Sequence, residues 1–541
     1  MNTAWTRWGL AALLLGVLGL SIFLGPWGEV GVGDARLYQD AADCGGLHGS
    51  EKNAERSWTK RCVRGRPAGA LLPTVVVGGL TGITRTPEAA QLWLQLFGFL
   101  FAVTICLFVF QLARSNGRQW EGIVAVLLLI LCTPLLERAR AGGPELWTAA
   151  FLLGIAWLMT FRGASIARSA LILIVSTMAI ACHPFAIPAC LALLFCSMAQ
   201  SRPDGPRVVG GRIWLGWFDS VTLCAAIGGL ALFALLWSPD GSFLWHRISD
   251  LYRESHPPLR IGGQTWIQGV DLRSPPWWTT PVLLFLTTPL PFVVASLIGV
   301  GVRIRGRDTR ETCSLVPLSA LGLVWLFITI LQGSPFAGGQ DHRIILLALL
   351  APFIGPGLRA LESLVEPLAR RSQEKLSGIS SRVSSIQRPA WVFLNLILFL
   401  SLIGQVPSTL AGKRRGANLA PSPERMTERG LSMFHRPVLD AHIVTQVRAL
   451  PAGARVSCSP WEDTCHRELL PGLLSIGLLP KEIVASKTTQ ADYLIIPNDP
   501  TYATPASLLQ QYGATSLAIT NVRRGSSLIY GLRARPGSGG R

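Results

Sequence analysis

Long apolar runs, separated alternately by short basic stretches and by longer polar ones, set the pattern of this chain. About eleven runs approach the 17–25 residues that cross a hydrocarbon core. They are Trp8–Leu24, Leu92–Ala113, Ile123–Leu136, Leu146–Met159, Ala170–Ala181, Pro184–Met198, Val221–Trp237, Trp278–Val300, Ser314–Leu331, Ile344–Leu361 and Trp391–Val406. The third to sixth are short. Between the first two runs, Gly69–Ile83 is apolar but glycine-rich, and reads as a re-entrant or interfacial segment. After Val406 the period changes. Val438–Leu450 has helical spacing, while Ala454–Ser459, Tyr493–Pro497, Ser516–Thr520 and Ser526–Leu532 read as strands, the last two joined through Arg523-Arg524-Gly525.

This pattern predicts a mostly α, polytopic helical membrane protein with a small C-terminal α/β domain. Residues 1–406 form the transmembrane part, with polar loops at 25–87 and 238–276. Residues 407–435 are a linker, 436–535 the α/β domain and 536–541 a disordered tail. Basic residues assign the orientation, because they concentrate in short cytoplasmic loops. With the N-terminus inside, Arg114 and Arg118, Arg162 and Arg168, Arg202, Arg207 and Arg212 all fall in inside loops. So do Arg303, Arg305, Arg307 and Arg310, and then Arg370, Arg371, Lys375, Arg382 and Arg388. The short outside loops at His183-Pro184 and Gln332–His342 hold no Lys or Arg. The long first loop and the C-terminal domain then face the periplasm or exterior of a bacterial-type plasma membrane. Gly25-Pro26-Trp27-Gly28 follows the first run where a small-residue cleavage site would stand, so that run reads as a retained span, with a cleaved leader as the alternative.

Composition agrees: 50% of the 541 residues are hydrophobic and the mean hydropathy is +0.40. The formal charge of +18 is not confined to inside loops. The first outside loop adds Arg36, Lys52, Arg56, Lys60, Arg61, Arg64 and Arg66, which suit a phosphate-bearing lipid or anionic glycan, or equally a face held near anionic headgroups. Cys44 and Cys62 share that loop, and Cys458 and Cys465 share the tail, so two disulfides are expected on the oxidising side; the tight second loop leaves two thiols as its alternative. No Walker loop, dinucleotide fingerprint, His-Glu-x-x-His or metal-type cysteine cluster appears, and nucleic acid is not among the partners read here.

Chemistry then falls to acids and bases outside. Asp34, just past the first run, could deprotonate an acceptor while a lipid phosphate leaves, or could simply cap a helix over Ala35–Ala42. Tyr38 lies in the same segment. Glu145 opens the fourth run, where the helix dipole alone justifies an acid. Arg138 and Arg140 precede it and could bind a lipid phosphate or snorkel to headgroups. His256, in His256-Pro257-Pro258-Leu259, could serve as a base or phosphate partner, or be an ordinary exposed histidine. Arg343 begins the tenth run from the outside, placed to clamp a phosphate.

In their order along the chain these segments resemble the GT-C glycosyltransferases that use lipid-linked sugars, in the branch of protein mannosyltransferases and aminoarabinose transferases. Gly33-Asp34-Ala35-Arg36-Leu37-Tyr38 is similar to the branch's Asp-Glu-Ala-x-Tyr loop start, and Thr86-Pro87-Glu88-Ala89-Ala90 to its next junction. Ser274-Pro275-Pro276-Trp277-Trp278, Thr287-Thr288-Pro289-Leu290-Pro291 and Asp341-His342-Arg343-Ile344-Ile345-Leu346 with Pro352 resemble its later motifs. The resemblance implies that Asp34 is the catalytic acid, that Glu145 is tied to donor phosphate or metal, and that Arg343 touches the phosphate. It departs from the branch at Ala35, where a second acid is usual, and at Arg66-Pro67-Ala68-Gly69, where a Lys/His-Pro-Pro-Leu motif is usual. The implied function is transfer of a sugar, with inversion, from a polyprenyl-phosphate donor to an outside acceptor, with a divalent cation such as Mg or Mn as the cofactor class. A flippase for lipid-linked glycans and a non-catalytic envelope scaffold are the other readings.

Overall fold

The computed structural model describes residues 30–31, 44, 71–84, 87–114, 119–132, 135, 138–139, 142–160, 166–183, 186, 189–192, 228, 259–261, 264–266, 288–305, 343–363, 438–439, 450–458, 483–485, 491–497, 514–516 and 527–532. Two units emerge from its contacts. One comprises Met1–Gly25, Gly98–Glu254 and Asp271–Arg429, the other Pro26–Phe97, Ser255–Val270 and Gly430–Arg541.

The first unit is helical. It holds most of α2 (Pro87–Ala113), then α3 (Gln119–Ile130), α4 (Pro144–Thr160), α5 (Ile166–Cys182), α6 (Leu290–Arg305) and α7 (Arg343–Leu350). A 3-10 turn at Ala351–Phe353 follows α7, and the helix resumes over 354–363. Pro352 explains the turn, since it has no N–H to donate back along the helix. Among the described residues two helices are long and apolar enough to span a membrane, Leu92–Ala113 and Ile344–Ser363, and five shorter apolar helices accompany them. The runs at Trp8–Leu24, Val221–Trp237, Ser314–Leu331 and Trp391–Val406 lie outside the described residues, apart from Gly228 in a helix.

The two long spans differ in what they face. α2 carries an exposed stripe of Leu92, Leu96, Leu100 and Leu107 on one side and buried Leu94, Ala102, Ile105 and Val109 on the other. Leucines spaced near one helical turn and left uncovered suit lipid contact, whereas the 344–363 span is packed on nearly all sides. Hydroxyls inside these helices bond the preceding turn, as Thr104 Oγ1 donates to Leu100 O at 2.8 Å.

Backbones approach closely where side chains vanish. A Cβ on Gly299 of α6 would strike the Phe353 carbonyl, and one on Gly357 would strike the Ala295 carbonyl. This small-residue crossing is how helices associate in lipid, where no hydrophobic force joins them. α4 packs on both α5 and α7, and α3 and α6 pack against the 3-10 turn.

The second unit holds α1 (Leu71–Thr84), the start of α2 and three small sheets. β1 (Val30–Gly31) pairs antiparallel with β4 (Val438–Leu439), and β2 (Leu259–Ile261) with β3 (Gln264–Trp266). β5 (Arg455–Cys458), β6 (Val484–Ala485), β7 (Tyr493–Pro497), β8 (Ala514–Ser516) and β9 (Ser527–Leu532) form a five-stranded sheet in the order β6-β5-β7-β9-β8. β5 runs parallel to β6 and β7, while β9 is antiparallel to β7 and β8. Consecutive buried residues, Val456-Ser457 on β5 and Leu494-Ile495 on β7, show that both faces of the central strands are covered. Arg455 and Asp492 form an exposed pair at the strand entrance, Nη2 to Oδ1 at 2.9 Å.

Val438–Leu450 needs correction. Its helical spacing begins instead with a short strand, because Val438 and Leu439 find backbone partners in Gly31 and Val30. Of the strand expected at Ser516–Thr520, Ser516 ends β8 (Ala514–Ser516) and the rest lies outside the described residues; β6 was not read from the sequence.

Candidate functional site

Of the sequence candidates, Glu145 and Arg138 come together. The local chain dictates it. Gly142 has φ 68°, and the Gly143 N–H donates to the Arg138 carbonyl at 3.1 Å. A left-handed glycine with a bond spanning five residues is the Schellman closure of a helical turn. Pro144 then opens α4 at the position where a missing N–H costs nothing, and the Leu146 N–H reaches back to the Gly143 carbonyl at 3.1 Å. Thr148 Oγ1 donates to the Pro144 carbonyl at 3.0 Å. Glu145 therefore sits in the first turn of α4, where the helix dipole favours an acid, and is only 6% exposed.

Gly143 measures how close the two side chains lie. A Cβ placed on it would stand 2.7 Å from Glu145 Oε2, 3.1 Å from Arg138 Cδ and 3.4 Å from Arg138 Nη1. The carboxylate and the Arg138 side chain thus close on one point, over a residue with no side chain of its own. α2 braces the turn from behind. A Cβ on Gly98 would strike the Ala139 carbonyl and approach the Gly142 Cα at 3.1 Å. Trp147 stacks on Phe101 with centroids 4.3 Å apart, and Phe101 meets Phe151 edge-on at 5.4 Å.

Arg343 is the first residue of α7, which packs on α4; its side chain falls outside the described set. Asp34, Tyr38, Arg140, His256, Cys62 and Cys465 lie outside the described residues, as does the side chain of Cys458. Cys44 is buried and disulfide-bonded. Cys106, Cys132, Cys182 and Cys190 are buried free thiols.

One charged pair escaped the sequence reading. Glu121, fully buried in the first turn of α3, forms an ion pair with Arg359, Nε to Oε1 at 3.3 Å. Its surroundings are tight: a Cβ on Gly355 would strike the Ala113 carbonyl and meet Glu121 Cβ at 3.3 Å. The signal was an acid interrupting an apolar window, hidden by starting that run at Ile123.

No three His, Cys, Asp or Glu side chains gather as metal ligands among the described residues. Glu145 supplies one carboxylate with a guanidinium-bearing side chain beside it, so a divalent cation there would need further ligands from elsewhere in the chain.

Neither a family model nor a curated protein matches the sequence. The likeness to solved structures is one of fold. The chain aligns with ArnT from Cupriavidus metallidurans bound to undecaprenyl phosphate over 98% of both chains, with TM-score 0.53 and 14% identity. The apo oligosaccharyltransferase of Archaeoglobus fulgidus matches 91% of this chain and 65% of its own, with TM-score 0.48 and 13% identity. For the arabinofuranosyltransferase AftD from Mycobacteria the shares are 99% and 40%, with TM-score 0.43 and 14% identity.

Proposed function

We propose that this chain is a membrane glycosyltransferase that moves a sugar from a polyprenyl-phosphate carrier to an acceptor outside a bacterial-type plasma membrane. Full-length likeness to ArnT in fold supports the class. The observation that carries the site is the convergence of Glu145 and the Arg138 side chain over Gly143. A bare carboxylate would repel a phosphate; a carboxylate that aims a guanidinium presents a cation to it.

In this reading the acceptor hydroxyl or amine gives its proton to Asp34 as it attacks the anomeric carbon. The carbon–oxygen bond to phosphate breaks on the opposite face, so configuration inverts, and the electron pair leaves with the polyprenyl phosphate. Arg138, with Arg140 and Arg343, stabilises the charge that grows on that phosphate. Tyr38 and His256 would border the reacting groups. Glu145 would also be the acid to hold a divalent cation, which would supply further charge to the leaving phosphate. The architecture that goes with this is about eleven spans over 1–406, a cytoplasmic N-terminus, a linker at 407–435 and an outside α/β domain at 436–535.

The test is transfer from a labelled polyprenyl-phosphate sugar in proteoliposomes. Wild type should form a new glycoside, and Asp34→Asn should lose about 10²–10⁴ of the rate. Full activity in Asp34→Asn would sink the catalytic role. Carrier movement across the bilayer without a new covalent product would instead establish a flippase.

A further inference from the structure

The sequence leading into Asp34 carries little local instruction. Four of the nine residues at 25–33 are glycine: Gly25, Gly28, Gly31 and Gly33. Glycine has the widest choice of backbone conformations, so local propensity does not specify where the acid stands. A carboxylate that takes a proton in a transition state must nevertheless be held within hydrogen-bond reach of it. The instruction has to come from elsewhere in the chain.

β1 is where it enters. Val30 pairs with Leu439 and Gly31 with Val438, in an antiparallel ladder between segments far apart in sequence. Gly31 is three residues before Asp34. Three peptide units reach at most about 11 Å whatever path they take, so covalent geometry keeps Asp34 that close to the ladder. Ten residues past Asp34, Cys44 is 1% exposed and disulfide-bonded. The acid thus lies between two fastened points. The far strand, β4, belongs to the same compact unit as β1 and the five-stranded sheet. Two short strands do not persist by themselves in water, so the firmness of β1 depends on the unit around β4.

We infer that the C-terminal domain is a positioning part of the transferase: Val438 and Leu439 hold β1 by backbone pairing and so set where Asp34 stands. This rests on the proposed role of Asp34. The rival is that the pairing only anchors the domain, in which case the rate per folded molecule is indifferent to it.

The two separate by measurement on the full-length protein in proteoliposomes. Neighbouring residues of a strand point their N–H groups to opposite sides, so one of Val438 and Leu439 donates toward β1. Proline removes that donor. At least one of Val438→Pro and Leu439→Pro should therefore lower kcat about 10²-fold, the scale of a small misplacement of a reacting group. The Kd for undecaprenyl phosphate, proposed to bind at the Glu145 turn, should stay at the wild-type value, as should the melting temperature.

Cross-linking probes the same contact without relying on proline. Residues directly opposite in an antiparallel ladder have Cα atoms about 4.5–5.5 Å apart, within the span of a disulfide. Val30→Cys with Leu439→Cys, or Gly31→Cys with Val438→Cys, should close under an added oxidant, seen as a mobility shift that reductant reverses. Val438→Pro combines with the first pair and Leu439→Pro with the second. In the slow proline variant the closed cross-link should recover most of the lost kcat, and reductant should abolish the recovery; wild type under the same reductant controls for the disulfide at Cys44. Failure of both cysteine pairs to close overturns the inference. So does a loss of rate that only tracks loss of folded protein and is not recovered by the cross-link. If Asp34→Asn is slow while both proline variants keep wild-type kcat, the inference alone fails. If Asp34→Asn keeps full rate, or wild type forms no glycoside, the reading beneath it fails as well.

Discussion

Two buried glutamates occupy the same place in local structure and differ in everything around it. Glu121 and Glu145 each sit in the first turn of an apolar helix, where the dipole welcomes an acid. α2 is the ruler between them. Gly98 abuts the turn that leads to Glu145, and Ala113 abuts Gly355 beside Glu121, about 22 Å further along at ~1.5 Å per residue. At the Ala113 end the acid is matched by Arg359 and walled in by close-packed backbone, with no exposed surface. At the Gly98 end it shares the face of Gly143 with the side chain of Arg138, on a turn shaped by a left-handed glycine. An acid at a helix start therefore says little by itself. Its neighbours decide whether it ties helices together or serves a ligand.

Replacing each acid should break the two ends differently. Glu145→Gln should cost about 10³ in transfer rate, roughly 4 kcal/mol of barrier, with the melting temperature nearly kept. Glu121→Gln should do the reverse: stability in detergent should fall by about 3 kcal/mol, because Arg359 is left beside an uncharged partner, while activity per folded molecule holds. The double change Glu121→Leu with Arg359→Leu should recover much of that loss. Normal melting in Glu121→Gln would show that the pair is not an anchor.

Smaller effects sharpen the same contrast. Gly142→Ala forces a side chain into a left-handed conformation and should cost about 1–2 kcal/mol. Because that strain falls on the turn carrying Arg138, binding of undecaprenyl phosphate should weaken along with it. An unchanged Kd would mean the turn does not set the Arg138 position. The smallest effect belongs to the exposed Arg455–Asp492 pair. Its hydrogen bond to Arg455 holds the Asp492 carboxyl below the usual range. A carboxyl with a lowered folded value contributes stability above its unfolded value of about 3.9 and loses it as pH falls through the folded one. Asp492→Asn should therefore lower the melting temperature slightly at neutral pH, the difference from wild type disappearing as pH falls below about 4.

Much of the fold was legible because helical apolar runs are local signals. Leu92–Ala113 was read with the bounds of the span itself, and the run at Leu146–Met159 missed only Pro144, Glu145 and Thr160 of α4. What escaped was non-local. Val438 and Leu439 looked helical in a short window, yet their strand depends on Val30 and Gly31, far away in sequence. β6 is two residues long and has no period to detect. At the site, Arg138 and Glu145 were both named, but their convergence depends on Gly142 adopting positive φ, which a Gly-Gly-Pro string permits without dictating. Glu121 sits just before one apolar run and Arg359 near the end of another, Ile344–Leu361, and neither reveals its partner alone.

The central claim is that the donor phosphate rests at the Glu145 end and not at the Glu121 end. Cross-linking with a polyprenyl phosphate that carries a photoreactive group next to its phosphate, mapped by mass spectrometry, tests it directly. The account predicts adducts in the segment from Arg138 to Leu146, competed away by undecaprenyl phosphate. Competable adducts confined to the neighbourhood of Glu121 and Arg359 would contradict it.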